Sequence, residues 1–297
     1  STIPTVHGEK VVMRLLPKST AAPTLQELGL RGLSLKNFDT QLLRPHGIIL
    51  VCGPTGSGKT TTLYSVLTKI STTRINVLTI EDPVEYQIPG VNQVQANPPI
   101  GLTFASALRS FLRQDPNTIM VGEIRDSATA ELAIQAALTG HQVFSTLHTN
   151  TAAGALPRLL DMGAEPFLLA STVNAILGQR VVRKICDHCR ISFDPPPEVL
   201  ENMQQVLGNL KPSSPLKLYK GQGCQQCNKV GYLGRVGIFE VLVASVKIAK
   251  QILERATVQD IETTGRSEGM ITMKQDGYLK VLEGITTLEE VLRVAQD

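Results

Sequence analysis

An apolar run, Ile48-Ile49-Leu50-Val51-Cys52, leads straight into Gly53-Pro54-Thr55-Gly56-Ser57-Gly58-Lys59-Thr60, and a helix-like segment over residues 59–70 leaves it. Strand, glycine-rich turn and helix start, in that order, are the context in which G-x-x-x-x-G-K-[ST] is a phosphate loop. The glycines let successive backbone N–H groups curl around a polyphosphate at the positive end of a helix. Gly53, Thr55, Gly56, Ser57, Gly58, Lys59, Thr60 and Thr61 are therefore the candidate nucleotide-binding residues. In such a loop Lys59 reaches the β- and γ-phosphates and the Thr60 hydroxyl ligates Mg²⁺.

The chain on either side alternates strand and helix in the manner of a parallel α/β sheet. Residues 25–30 and 36–43 read as short helices leading into the strand before the loop. Downstream, residues 76–80 read as a strand ending in Glu81-Asp82-Pro83-Val84-Glu85, and residues 103–113 as an amphipathic helix. Residues 118–121 form a strand entering Gly122-Glu123-Ile124-Arg125-Asp126, residues 128–138 a helix, and residues 142–147 a strand ending at His148. Residues 151–178 read as two helical segments, residues 198–207 as a short helix and residues 235–243 as a strand. Three helices near 246–255, 257–268 and 286–295 close the chain. Acidic residues and histidine thus recur at strand C-terminal ends, where open α/β sheets bind ligands. Glu85 and Glu123 are the carboxylates placed to orient or deprotonate a water that attacks a phosphate.

With 297 residues, 42% hydrophobic and 19% charged, the chain can bury a substantial core. Its net charge of +3 gives no broad basic field for nucleic acid. No apolar run approaches the roughly 18 residues of a membrane span, and no signal-peptide pattern opens the chain. The expected setting is cytoplasmic. Ser1 stands where Met would, and residues 11–16 read as a strand entered without its partners. Residues 1–24 are accordingly expected to be the remnant of an upstream domain plus a linker, the chain beginning inside a longer protein.

Four of the five cysteines form two C-x-x-C pairs, Cys186/Cys189 and Cys224/Cys227, separated by a gap of 34 residues. Tetrahedral Zn²⁺ takes four thiolates, and each pair supplies two from one tight turn. Four thiolates leave no open position, so the expected Zn²⁺ is structural. His188 between the first pair is a weaker competing ligand, and Cys52 is most simply a small buried hydrophobe. The organisation that follows is an ATPase core over residues 25–185, a zinc-binding subdomain over 186–236 and a mostly helical C-terminal subdomain over 237–297.

Taken in order, five stretches resemble the motifs of the secretion ATPases of type II secretion and type IV pilus assembly. Residues 53–60 resemble the Walker A motif, 80–86 the aspartate box, 108–116 the arginine-rich motif, 121–126 the Walker B motif and 139–150 the histidine box. The resemblance implies a RecA-like P-loop core acting as a Mg²⁺-dependent ATPase in a hexameric motor. It also implies partners among inner-membrane platform and adaptor proteins, and a peripheral place at the inner face of the bacterial inner membrane. Glu85 is implied as general base or water-positioning group, Glu123 as the acid standing where Walker B usually has aspartate, and His148 as a γ-phosphate sensor. His141 is implied to link nucleotide state to the sheet edge. Arg109, Arg113 and Arg125 resemble arginines that bridge domains or subunits near the phosphates, and Arg14 one presented from an upstream domain. Assembly ATPases of this family carry a four-cysteine insertion that retraction ATPases typically lack.

The reading from another class is a nucleic-acid translocase with a zinc ribbon, since phosphate loops and ribbons both occur there. Aromatics at 4%, no Trp and no Lys/Arg stripe leave little for base-stacking platforms, so no nucleic-acid partner is expected.

Overall fold

The computed structural model describes residues 2–13, 22–210 and 216–295. Arg14 lies outside them. The elements in chain order are β1 (Thr2–Thr5), β2 (Gly8–Val11), α1 (Gly32–Leu42), β3 (Gly47–Cys52), α2 (Lys59–Ile70), β4 (Val77–Glu81), β5 (Asn92–Gln95), α3 (Phe104–Phe111) and β6 (Thr118–Val121). There follow α4 (Ser127–Leu138), β7 (Gln142–Leu147), α5 (Ala155–Asp161), α6 (Pro166–Thr172), β8 (Val173–Ile185), β9 (Arg190–Phe193), α7 (Pro197–Leu207) and β10 (Leu218–Gly221). The chain closes with β11 (Tyr232–Val243), α8 (Val246–Leu253), α9 (Val258–Ser267), α10 (Met273–Leu282) and α11 (Leu288–Val294).

A seven-stranded sheet in the order β11-β8-β3-β7-β6-β4-β5 organises the molecule. All its pairings are parallel except β11 with β8, which is antiparallel. Every residue of β3 is buried, because helices cover both faces and the strand must be apolar throughout rather than alternate with polar residues. Ile48, Leu50 and Cys52 face one core with side chains of α3, α4, α5 and α6, whereas Ile49 and Val51 face the other with Phe38 of α1 and Leu63, Tyr64 and Leu67 of α2. This is the RecA-like α/β architecture expected from the alternation and the resemblance. A parallel sheet aligns the C-terminal ends of β3, β4, β6 and β7 at one edge, and the residues that follow these strands are the candidate site.

Several sequence expectations are corrected. Residues 25–29 form turns rather than a helix. The strand expected over 11–16 begins earlier: β2 ends at Val11, is paired with β1, and has no place in the main sheet. The two helices that the sequence suggests over residues 151–178 do not fill that stretch: α6 passes at Val173 directly into the 13-residue strand β8, the inner neighbour of β3. Burial of Val173–Gln179 on both faces removes the alternation that marks a half-buried strand. A further helix, α10, stands between the last two expected ones.

The boundary expected between residues 236 and 237 falls inside β11, whose Arg235–Val243 segment is hydrogen-bonded to β8 throughout. Residues of the cysteine-bearing lobe share a core with the C-terminal helices: Met203, Leu207 and Leu218 pack with Tyr278, Val281 and Val291.

Candidate nucleotide site and four-cysteine centre

Gly53 ends the run out of β3 at a backbone φ of 154°, and a Cβ there would lie 2.4 Å from the Gln179 carbonyl oxygen and 2.5 Å from Ser57 Oγ. Only glycine fits so close to β8. Among the described residues, the N–H groups of Gly56, Gly58, Lys59, Thr60 and Thr61 have no hydrogen-bond acceptor, while the Ser57 N–H donates to Pro54 O (3.2 Å) and the Thr62 N–H to Gly58 O (3.0 Å). A run of unpaired donors at the positive end of α2 is an anion site by its own chemistry. Ser57 Oγ, buried and without a partner among the described residues, adds another donor.

Lys59 Nζ folds back across the loop to Gly53 O (2.7 Å) and Pro54 O (3.2 Å). Burial lowers its pKa, and the negative charge of Glu123 opposes that shift. Glu123, beyond the end of β6, carries a side chain 13% exposed; Oε1 meets Arg125 (2.6 Å) and Oε2 lies 3.4 Å from His148 Nε2. The Glu123 carboxylate in turn raises the Arg125 pKa, chiefly by that hydrogen bond. Lys59, Glu123, Arg125 and His148 thus gather from three different strand ends into one polar cluster beside the loop.

Glu85 is half-buried beyond β4, the strand beside β6. Its N–H donates to Tyr64 Oη (3.1 Å), and the Tyr64 hydroxyl donates to Glu81. Glu81 is 2% exposed and also accepts from Thr79 Oγ1 (2.5 Å) and Gln93 Nε2 (3.1 Å). Burial first, then the bond to Glu81, raises the Tyr64 pKa and keeps its proton in place. A fully satisfied network therefore ties the segment bearing Glu85 to α2, the helix that leaves the phosphate loop. Tyr64 and Gln93 belong to no motif, and the only local sign of the network is an acid, Glu81, and a glutamine, Gln93, inside otherwise strand-forming runs.

Arg109 lies on the exposed face of α3 near its end and Arg113 in the turn just beyond it, where Arg113 Nη1 donates to the Arg109 carbonyl (3.1 Å). Among the described residues neither forms a salt bridge, and nothing brings them to the Lys59–Glu123 cluster. His141 lies at the other end of β7 from His148, about 20 Å away for a strand of this length. Its Nδ1 stands 2.8 Å from Ala136 O, where it tidies the end of α4.

The four cysteines converge as their spacing requires. Their Sγ atoms all lie within 4.8 Å of one another, and three separations are 3.7, 3.8 and 3.9 Å. A tetrahedron of thiolates with metal–sulfur bonds of about 2.3 Å has edges of about 3.8 Å, so the set fits a zinc site. Backbone N–H groups of Gly223, Cys224 and Gly231 donate to Cys189 or Cys227 sulfur at 3.2–3.3 Å. The Cys224 N–H, the largest influence, brings Cys227 down to about 6, while burial pushes Cys189 up to about 11. His188 is exposed and outside the cluster.

A family model described as "Type II/IV secretion system protein" matches residues 1–293. The chain is 50% identical over 292 residues to a "Type IV pilus assembly ATPase PilB" of Thermus thermophilus, covering 98% of this chain and 32% of that protein. It is 51% identical over 297 residues to a "Type II secretion system protein E" of Xanthomonas campestris pv. campestris, covering 100% and 52%. It therefore spans from about a third to about half the length of these two relatives. Among solved structures, the "Pilus Retraction Motor PilT and Bound ADP" is similar with a TM-score of 0.69 at 32% identity, over 96% of this chain and 69% of that one.

Proposed function

Because the chain belongs to the type II/IV secretion system protein family, we propose that it is the ATP-hydrolysing portion of an oligomeric motor that powers assembly of a pilus or pseudopilus. The single observation that carries this reading is the set of unpaired N–H groups of Gly56 and of residues 58–61 beside the Lys59–Glu123–His148 cluster. Those donors hold the polyphosphate, and Lys59 exchanges its loop carbonyls for phosphate oxygens. Thr60, and Glu123 through an intervening contact, would hold Mg²⁺, which when bound would supply positive charge opposite the phosphates. Glu85 orients the attacking water, and His148 reports the γ-phosphate to the Glu123 carboxylate. Arg109 and Arg113 face outward, which suits donation to a site on a neighbouring subunit of a hexamer; Arg125 joins its own subunit's cluster. Splitting a site between moving parts couples hydrolysis to motion.

Cys186, Cys189, Cys224 and Cys227 would hold a structural Zn²⁺, whose contribution would be to tie their two turns together. Among the described residues no helix is long and apolar enough to cross a membrane. The motor would act peripherally at the cytoplasmic face of the inner membrane on platform and adaptor proteins. The four-cysteine lobe favours the assembly branch of the family over retraction.

The test is the Mg²⁺-ATPase rate against protein concentration, with and without single-stranded DNA. A rate per subunit that rises with concentration and ignores DNA supports the motor; stimulation by DNA would replace it with the nucleic-acid translocase.

A further inference from the structure

Gln179 of β8 is 2% exposed, and lies on the same face of the sheet as Leu177, toward α2. Both ends of its carboxamide are engaged: Nε2 donates to the Ser57 carbonyl (2.8 Å) and Oε1 accepts from Thr62 Oγ1 (2.7 Å). Only this orientation of the amide serves the Ser57 carbonyl, which needs a donor. The Gln179 backbone carbonyl presses on Gly53, so one residue of β8 touches the loop at its start and its crest, and touches the first turn of α2. β8 itself is fixed from the far side, where Gln179 pairs with Phe239 of β11.

In a trans peptide the C=O and N–H point in opposite directions. With the Ser57 carbonyl held against β8, the Gly58 N–H of the same peptide is turned away from the sheet strand, and it is one of the donors left unpaired. We propose that Gln179, backed by Thr62, is the positioning residue of the phosphate loop: it locks the Ser57–Gly58 peptide so that the Gly58 N–H is presented to a nucleotide phosphate, and thereby sets nucleotide affinity. This rests on the nucleotide-binding reading of the loop.

The experiment is binding of a fluorescent ADP analogue to the full chain with Mg²⁺, paired with turnover at saturating ATP. Gln179→Leu keeps bulk and loses both bonds, and raises Kd by roughly tenfold or more, since it strands a buried carbonyl, while kcat stays within about twofold. Thr62→Val raises Kd by about threefold, Thr62→Ser restores it, and the double variant Gln179→Leu/Thr62→Val is no weaker than Gln179→Leu alone. Leu177→Val, on the same strand without a loop contact, leaves Kd unchanged.

If Leu177→Val weakens binding as much as Gln179→Leu, or if Gln179→Leu binds as tightly as the unsubstituted chain, the positioning role is overturned while the nucleotide site stands. If the unsubstituted chain itself binds no better than Lys59→Ala, the nucleotide reading falls and the proposal with it.

Discussion

The phosphate-loop edge and the four-cysteine lobe are built on opposite principles. At the edge, five backbone donors and the Ser57 hydroxyl have no acceptor among the described residues, and Lys59 rests on carbonyls it can leave. In the lobe, every sulfur sits close to another, and several backbone N–H groups already point at them. Unmade bonds on a rigid strand edge suit a ligand that comes and goes; a closed set of thiols suits one that stays. Rigidity differs as well, because the edge is backed by two apolar cores whereas the lobe leans on α10 and α11.

Taking away the metal that the four thiols fit is the most severe way to break this contrast. Chelation, or Cys227→Ser, forfeits a metal-linked folding energy on the order of 10 kcal/mol. Limited proteolysis should then cut within residues 186–231 while nucleotide affinity changes by less than about threefold. A lobe that stays protease-resistant without metal would show its thiols to be incidental.

Next in size, Glu85→Gln should lower ATP turnover by at least about 100-fold with nucleotide binding retained, as loss of a general base does. Equal losses in binding and turnover would move Glu85 from chemistry to structure.

The seam between α11 and β8 gives a smaller, pH-dependent effect. Burial alone would raise the Glu290 pKa, but hydrogen bonds from Arg293 and Arg183 overcome it and hold the carboxyl at about 2. A group lowered on folding from its ordinary 4.5 stabilises the fold above that pH. The contribution, about 3 kcal/mol, should fade as pH drops from about 4.5 to about 2, and acid unfolding of Glu290→Gln should lack this component.

The smallest effect belongs to His141→Ala. Its ring serves the end of α4 remote from the loop, so stability should fall by about 1 kcal/mol and turnover should stay within about twofold. A large loss of turnover would mean that the two ends of β7 communicate.

The site was largely visible in the chain because the phosphate loop, Glu123 and the C-x-x-C pairs are local patterns. α2, β6 and β7 have the limits that their periodicity and flanking turns indicate. What stayed hidden depends on contacts distant in sequence. β8 follows α6 without a turn, and Gln179 acquires meaning only from Ser57 and Thr62, more than a hundred residues earlier. α10 carries Gly277 at its middle and buries Asp276 and Lys280, features that argue against a helix when read locally. The structure explains both: a Cβ on Gly277 would lie 2.5 Å from Val291 Cγ1 of α11, and Asp276 accepts from Lys280 Nζ (2.5 Å) and the Phe239 N–H (2.8 Å). The cluster of Glu81, Tyr64 and Gln93 is likewise a meeting of separate elements.

Amide hydrogen exchange, with and without a non-hydrolysable ATP analogue and Mg²⁺, tests the contrast most directly. Strong added protection over residues 53–62 and the turn after Glu81, with none over residues 186–231, is the predicted outcome. Unchanged exchange over residues 53–62 at saturating nucleotide would contradict the assignment of the strand edge as the nucleotide site.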